Sequence, residues 1–112
     1  MRINVMKMRS GDGIPDISID YPSRGFHGLK IEFKATGKSP FKKDGTLKKA
    51  KYTRKFKKNG KIWIKTGDHN AEQYAMLKRY KEMGYCAVYA IGLEKFKEIV
   101  NWYMENEQQS LF

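Results

Sequence analysis

The sequence predicts an α/β fold: a small mixed β-sheet flanked by helices, in the order β-β-insert-α-β-α. Three observations carry this. Ile14-Pro15-Asp16-Ile17-Ser18-Ile19 and Leu29-Lys30-Ile31-Glu32-Phe33-Lys34 alternate apolar and polar residues with the period of a strand. Tyr85-Cys86-Ala87-Val88-Tyr89-Ala90-Ile91 is a short continuous apolar run, the pattern of a buried strand. Two stretches, one before and one after that run, carry apolar stripes at helical spacing. With 112 residues the chain is long enough for one small domain, placed at residues 1–107 with an insert at 38–65 and a tail at 108–112.

Taken in order, Ile3, Val5 and Met8 suggest a short opening strand. Gly11-Asp12-Gly13 is a turn leading into the strand that holds Asp16, and Tyr21 to Gly28 is a loop joining it to the Glu32 strand as an antiparallel neighbour. After the insert comes a helix with Asn70 as N-cap, Gln73 at the capping-box position and Gly84 as stop. Gln73, Met76, Leu77 and Tyr80 lie along or near one stripe of it. The run Tyr85 to Ile91 is expected as a central strand. Gly92 precedes a last helix from Leu93 to about Glu107, in which Phe96, Ile99, Val100 and Tyr103 face the core.

Composition narrows the function classes. No apolar run approaches the roughly 20 residues of a membrane span. The N-terminal residues lack the apolar stretch and cleavage site of a signal peptide, which gives a cytoplasmic expectation. Cys86 is the single cysteine, so no internal disulfide forms, and its apolar strand makes it a reduced core thiol. With only His27 and His69 beside it, a structural zinc site is not expected.

The net charge of +11 belongs to one segment. Residues 38–65 hold twelve Lys or Arg and one acid, Asp44, whereas the rest holds eleven of each sign. Asp44-Gly45 and Asn59-Gly60 are tight-turn signals, and Tyr52 to Phe56 and Lys61 to Ile64 flank the second as a predicted hairpin. Phe41, Tyr52, Phe56 and Trp63 are interleaved with the bases. Such a segment suits a polyanion: cations neutralise phosphates and exposed rings stack on unpaired bases. The candidate DNA-binding residues are Lys42, Lys43, Lys48, Lys49, Lys51, Arg54, Lys55, Lys57, Lys58 and Lys61. A lysine-rich loop merely kept soluble by its charge is the plain alternative, and an anionic membrane is disfavoured because no amphipathic anchor accompanies the patch.

In the strand Leu29 to Lys34, Leu29, Ile31 and Phe33 share one face and Lys30, Glu32 and Lys34 the other. An adjacent strand would bring Asp16 beside Glu32. Two carboxylates can hold Mg²⁺ with most of its waters kept, and a lysine beside them can orient a water or stabilise charge in phosphodiester hydrolysis. Alternating charges on a solvated strand face are the competing explanation.

Taken together, Gly13-Ile14-Pro15-Asp16, Gly28 to Lys34, Glu72-Gln73, Gly84-Tyr85 and the closing helix resemble a stand-alone virus-type replication-repair nuclease (VRR-NUC) domain, of the PD-(D/E)xK nuclease superfamily. The resemblance covers about residues 11–104, interrupted by the basic insert. It implies a restriction-endonuclease-like core, Asp16, Glu32 and the Phe33 backbone carbonyl as ligands of Mg²⁺ (or Mn²⁺), Lys34 as the catalytic lysine, and Gln73 near the active site. It also implies a homodimer resembling Holliday-junction resolvases, with two sites across a two-fold axis. One departure matters. The family commonly begins with a helix bearing an acid that faces the metal, and too few residues precede Asp12 here to form it. Asp12, Asp20 or Glu72 would have to substitute, or a second subunit contribute.

The tail Gln108-Gln109-Ser110-Leu111-Phe112 is similar to the pentapeptide by which bacterial replication and repair proteins dock on the sliding clamp. Gln108, Leu111 and Phe112 would fill the clamp pockets; otherwise Leu111 and Phe112 tuck back onto the core. The expectation is a Mg²⁺-dependent DNA endonuclease acting on branched DNA in a bacterial or phage-infected cell. Its rivals are a non-catalytic nucleic-acid-binding module and a clamp-associated accessory protein.

Overall fold

The computed structural model describes residues 3–5 and 15–105. Four strands form the main sheet, in the order β1-β2-β3-β6: β1 (Ile3–Val5), β2 (Ile17–Ile19), β3 (Leu29–Lys34) and β6 (Cys86–Ile91). β1 pairs antiparallel with β2, with Ile3 opposite Ile19, and β2 pairs antiparallel with β3, with Ile17 opposite Ile31. β6 runs parallel to β3, with Glu32 opposite Tyr89. A parallel neighbour needs a crossover, and α1 (His69–Glu82) supplies it between β3 and β6. α2 (Leu93–Glu105) follows β6.

The two helices cover opposite faces of the sheet. Leu29 and Ile31 of β3 are fully buried, and Cys86 and Ala90 of β6 share their face. Phe96, Ile99, Val100 and Tyr103 of α2 pack there, the i, i+3, i+4, i+7 stripe expected from the sequence. Each such aliphatic side chain withdrawn from water contributes about 1.5–3 kcal/mol before entropy is counted. The free thiol of Cys86 lies in this core, and burial pushes its pKa up. On the other face α1 presents Gln73 and Leu77, both buried, over Glu32 and Ala87. Lys30 shares that face, its ammonium 5.0 Å from the Tyr80 ring and 4.8 Å from the Tyr85 ring.

β4 (Lys51–Lys58) and β5 (Lys61–Asp68) form a separate two-stranded sheet, the hairpin expected in the basic insert but longer at both ends. Asn59 and Gly60 turn it with φ of 55° and 75°, the left-handed pair that a tight two-residue loop demands. The first half of the insert is a smaller loop, in which Phe41 bridges Leu47 around Asp44-Gly45.

Three expectations need correction. The N-cap of α1 is Asp68, not Asn70: its Oδ1 accepts from Asn70 N at 3.0 Å, Ala71 N at 3.3 Å and Ala50 N at 3.1 Å, which holds its carboxyl below the usual range. Placing the cap two residues earlier leaves Gln73 in the second turn, pointing into the sheet rather than capping. The strand of Asp16 is shorter than its alternation suggested, so Asp16 sits just before β2. The β6 run is an edge strand among the described residues, not a central one. Its apolarity reflects coverage by helices on both faces, and Phe41 from the insert packs edge-on to Tyr89 and Tyr74, with ring centroids 5.4 and 6.3 Å away. The opening strand is present at Ile3–Val5; Met8, Asp12 and the tail 108–112 lie outside the described residues.

Candidate active site

β3 positions the site. Its pleat sends Ile31 and Phe33 to the α2 side, where the Phe33 ring meets Phe96 edge-on, and Glu32 and Lys34 to the α1 side. Asp16 approaches from the residue before β2, and its Oδ2 accepts a 2.9 Å hydrogen bond from Phe33 N. That bond fixes the Asp16 carboxylate beside Glu32 on the adjacent strand. Lys34 Nζ donates to Gln73 Oε1 at 2.8 Å and stands 4.0 Å from Glu32 Oε2. The structure thus brings Asp16, Glu32, Lys34 and Gln73 together where β2, β3 and α1 meet.

Glu32 dominates the electrostatics. It is 1 % exposed, and neither carboxylate oxygen accepts a well-formed hydrogen bond. Burial pushes its pKa up to about 8, with two further contributions from Asp16: the acid form would share its proton with that carboxylate, and the two negative charges repel. The Lys34 ammonium and the backbone N–H of Asp16 pull the other way but do not offset them. An orphaned, buried carboxylate facing a second carboxylate is poorly served by one lysine at 4.0 Å. A divalent cation supplies the missing positive charge and takes oxygen ligands, so the donor set fits Mg²⁺ or Mn²⁺.

Tyr89 completes this environment, and the sequence shows it only as one apolar member of the β6 run. It sits opposite Glu32 in the parallel register, its hydroxyl is buried without a hydrogen-bond partner, and its pKa is pushed up to about 12, first by burial and then by the charge of Glu32. Parallel pairing with β3 is what places it here. Tyr89 also lines a groove of about 430 Å³ with Phe41, Tyr74, Leu77, Lys78 and Lys81 beside β6.

Of the candidates for a further acid, Asp20 and Glu72 do not join this pair, and Asp12 lies outside the described residues. Among the described residues no group of three or more His, Cys, Asp or Glu side chains converges. Asp20 Oδ1 accepts from Ser18 Oγ at 3.4 Å, and Glu72 is engaged by the Tyr52 hydroxyl at 2.8 and 3.2 Å.

Among the insert cations, Lys42, Lys43, Lys48, Lys49, Lys51, Lys55, Lys57, Lys58 and Lys61 are exposed and Arg54 is half-buried. Tyr52 stacks on His69 at 4.2 Å, which ties the root of the hairpin to the first turn of α1, one turn from Gln73. No helix among the described residues is long and apolar enough to cross a membrane.

No family model matches the sequence, and no curated protein matches it. Among solved structures the chain is similar to one described as a "VRR_NUC domain protein", with a TM-score of 0.61 and 22% sequence identity over 93% of this chain and 68% of that one. The chain has the VRR-NUC fold. At that level of identity the likeness concerns the fold, so the chemistry must be argued from the side chains that the VRR-NUC fold assembles here. On that fold Asp16, Glu32, Lys34 and Gln73 occupy one end of the β2-β3 pair under α1, and the basic hairpin springs from the same end.

Proposed function

We propose that this protein is a metal-dependent DNA endonuclease. The observation that carries the proposal is the buried Glu32 carboxylate, without a well-formed hydrogen bond, held beside Asp16 and within 4.0 Å of the Lys34 ammonium. Such a site is unfavourable as an apoprotein arrangement and favourable as one half of a metal complex. Asp16 and Glu32, with the Phe33 backbone carbonyl, would hold Mg²⁺, with Mn²⁺ able to substitute. The bound cation would neutralise a phosphodiester and lower the pKa of a coordinated water.

The side chains have distinct tasks. Asp16 is oriented by the Phe33 N–H, so its second oxygen is the one free to bind a ligand. Lys34 orients the attacking water or neutralises the charge developing on the phosphate. Gln73 restrains the Lys34 ammonium so that it points at the reacting group and does not collapse onto Glu32. The insert lysines hold the sugar-phosphate backbone.

Branched DNA is the substrate class that suits this design. A protruding cationic ribbon beside one cleavage site can grip a second arm, and a homodimer would cut both strands symmetrically. The setting would be bacterial or phage replication and repair, with the residues 108–112 docking on a sliding clamp. The test is cleavage of labelled four-way junction, flap, single-stranded and plain duplex DNA in Mg²⁺, Mn²⁺ or EDTA. Metal-dependent cutting strongest on the junction is the expected result. Tight, salt-sensitive binding without cutting in either metal would leave a nucleic-acid-binding module.

A further inference from the structure

The two faces of the β4-β5 ribbon differ in chemistry. Side chains directly opposite across an antiparallel pair share a face, as do residues two apart. One face therefore carries Phe56 opposite Trp63, flanked on one side by Arg54 opposite Lys65 and on the other by Lys58 opposite Lys61. The reverse face carries Lys55 and Lys57 opposite Ile64 and Ile62. Phe56 is 43 % exposed and Trp63 is 51 % exposed, and although they are opposite in register, the two rings stand apart as separate exposed faces. Two large rings left uncovered in a small protein mark a binding surface, and four cations around them with no carboxylate on that stretch of either strand define its charge. The turn residues Asn59-Gly60 hold the strands in this register, so the rings and cations are arranged before any ligand arrives.

We propose that the Phe56–Trp63 pair is a stacking platform for an unpaired nucleobase, with Arg54, Lys58, Lys61 and Lys65 gripping the phosphates on either side of it. Every base presents a π-face, so the platform selects for unstacked strands rather than for a sequence. A base inside an intact duplex offers no free face, whereas single-stranded segments at junctions, flaps and gaps do. Tyr52 lies on the same face as Phe56 and anchors the ribbon root on His69 and Glu72 of α1. The platform stands four residues, about 13 Å, along the strand from that anchor. A base stacked there holds the strand a few nucleotides from the Lys34–Gln73 end of the sheet. This assignment rests on the nucleic-acid part of the proposed function and not on cleavage.

The experiment is fluorescence anisotropy in EDTA, so that no cleavage intervenes, with one labelled oligonucleotide offered as a single strand and as its full duplex. The variant Phe56→Leu/Trp63→Leu keeps apolar side chains at both positions and removes the rings. The expected result is a loss of about tenfold or more in affinity for the single strand, with duplex affinity unchanged. In a Trp102→Phe background the remaining tryptophan, Trp63, should be quenched by the single strand, and Trp63→Phe should retain most of the affinity. Equal loss on both DNA forms, no loss, or no quenching overturns the platform while leaving the lysines as a backbone grip. Binding to anionic phospholipid vesicles that Phe56→Leu/Trp63→Leu preserves, with no binding to either DNA, overturns both the platform and the nucleic-acid partner. Selective single-strand binding by a protein that cuts nothing supports the platform and removes only the nuclease.

Discussion

Lys34 Nζ and Gln73 Oε1 are joined by a 2.8 Å hydrogen bond across 39 residues of sequence, linking the end of β3 to the second turn of α1. The bond orients a flexible four-carbon side chain that would otherwise sample many rotamers. Gln73→Ala should leave the fold intact and slow metal-dependent cleavage by up to about 10²-fold, chiefly in kcat, because the ammonium is no longer held. Gln73→Glu, which still accepts the bond, should recover much of the rate. Single-turnover cleavage with circular dichroism as a folding control checks this.

Glu32 makes the apoprotein sensitive to pH. Its folded pKa of about 8 lies above the ordinary value of 4.5, so its stability contribution is intact below about pH 4.5. Between about pH 4.5 and pH 8 the unfolded chain ionises Glu32 while the folded protein does not, and stability falls through that window. The penalty is bounded at about 5 kcal/mol. Urea titrations in EDTA at about pH 5, 7 and 9 should show this decline for the wild type, and Glu32→Gln should flatten it. Added Mg²⁺ should restore stability at high pH to the wild type only.

The reach of the sequence differed from element to element. β3, α2 and the Asn59-Gly60 hairpin were legible because each is specified locally, by alternation, by a helical stripe and by a turn that needs two positive φ values. Asp16, Glu32 and Lys34 were legible as a set because two adjacent strands suffice to bring them together. Tyr89 was not, because its place depends on which strand β6 pairs with, a tertiary fact that an apolar run does not encode. The N-cap was misplaced because Asp68 is also the last residue of β5, where one side chain ends a strand and starts a helix.

Tyr89→Phe should be neutral or stabilising by up to about 1 kcal/mol in EDTA. The hydroxyl is buried without a partner, so its removal relieves desolvation and sacrifices no hydrogen bond, while the ring keeps its packing on Phe41. A loss of stability in denaturant titration would show that the hydroxyl is satisfied in the working protein.

The insert lysines should govern salt dependence rather than turnover. Replacing Lys55 and Lys57, on the reverse face of the ribbon, with alanine should weaken binding to all DNA forms alike. The slope of log K against log salt should fall by about 0.9 for each duplex phosphate that is no longer neutralised. Anisotropy titrations over a range of NaCl concentrations check this, and an unchanged slope would place these residues outside the interface.

The most direct test of the metal-dependent nuclease is single-turnover cleavage of a labelled four-way junction by wild type and Glu32→Gln, each with Mg²⁺ and with EDTA. Glu32→Gln is nearly isosteric and removes the charge that disfavours burial, so it should fold at least as well as the wild type. The predicted result is cutting by the wild type in Mg²⁺ alone and none by the variant, although the variant still binds the junction. Equal cutting by both proteins, or cutting that persists in EDTA, would contradict a metal site built on Glu32.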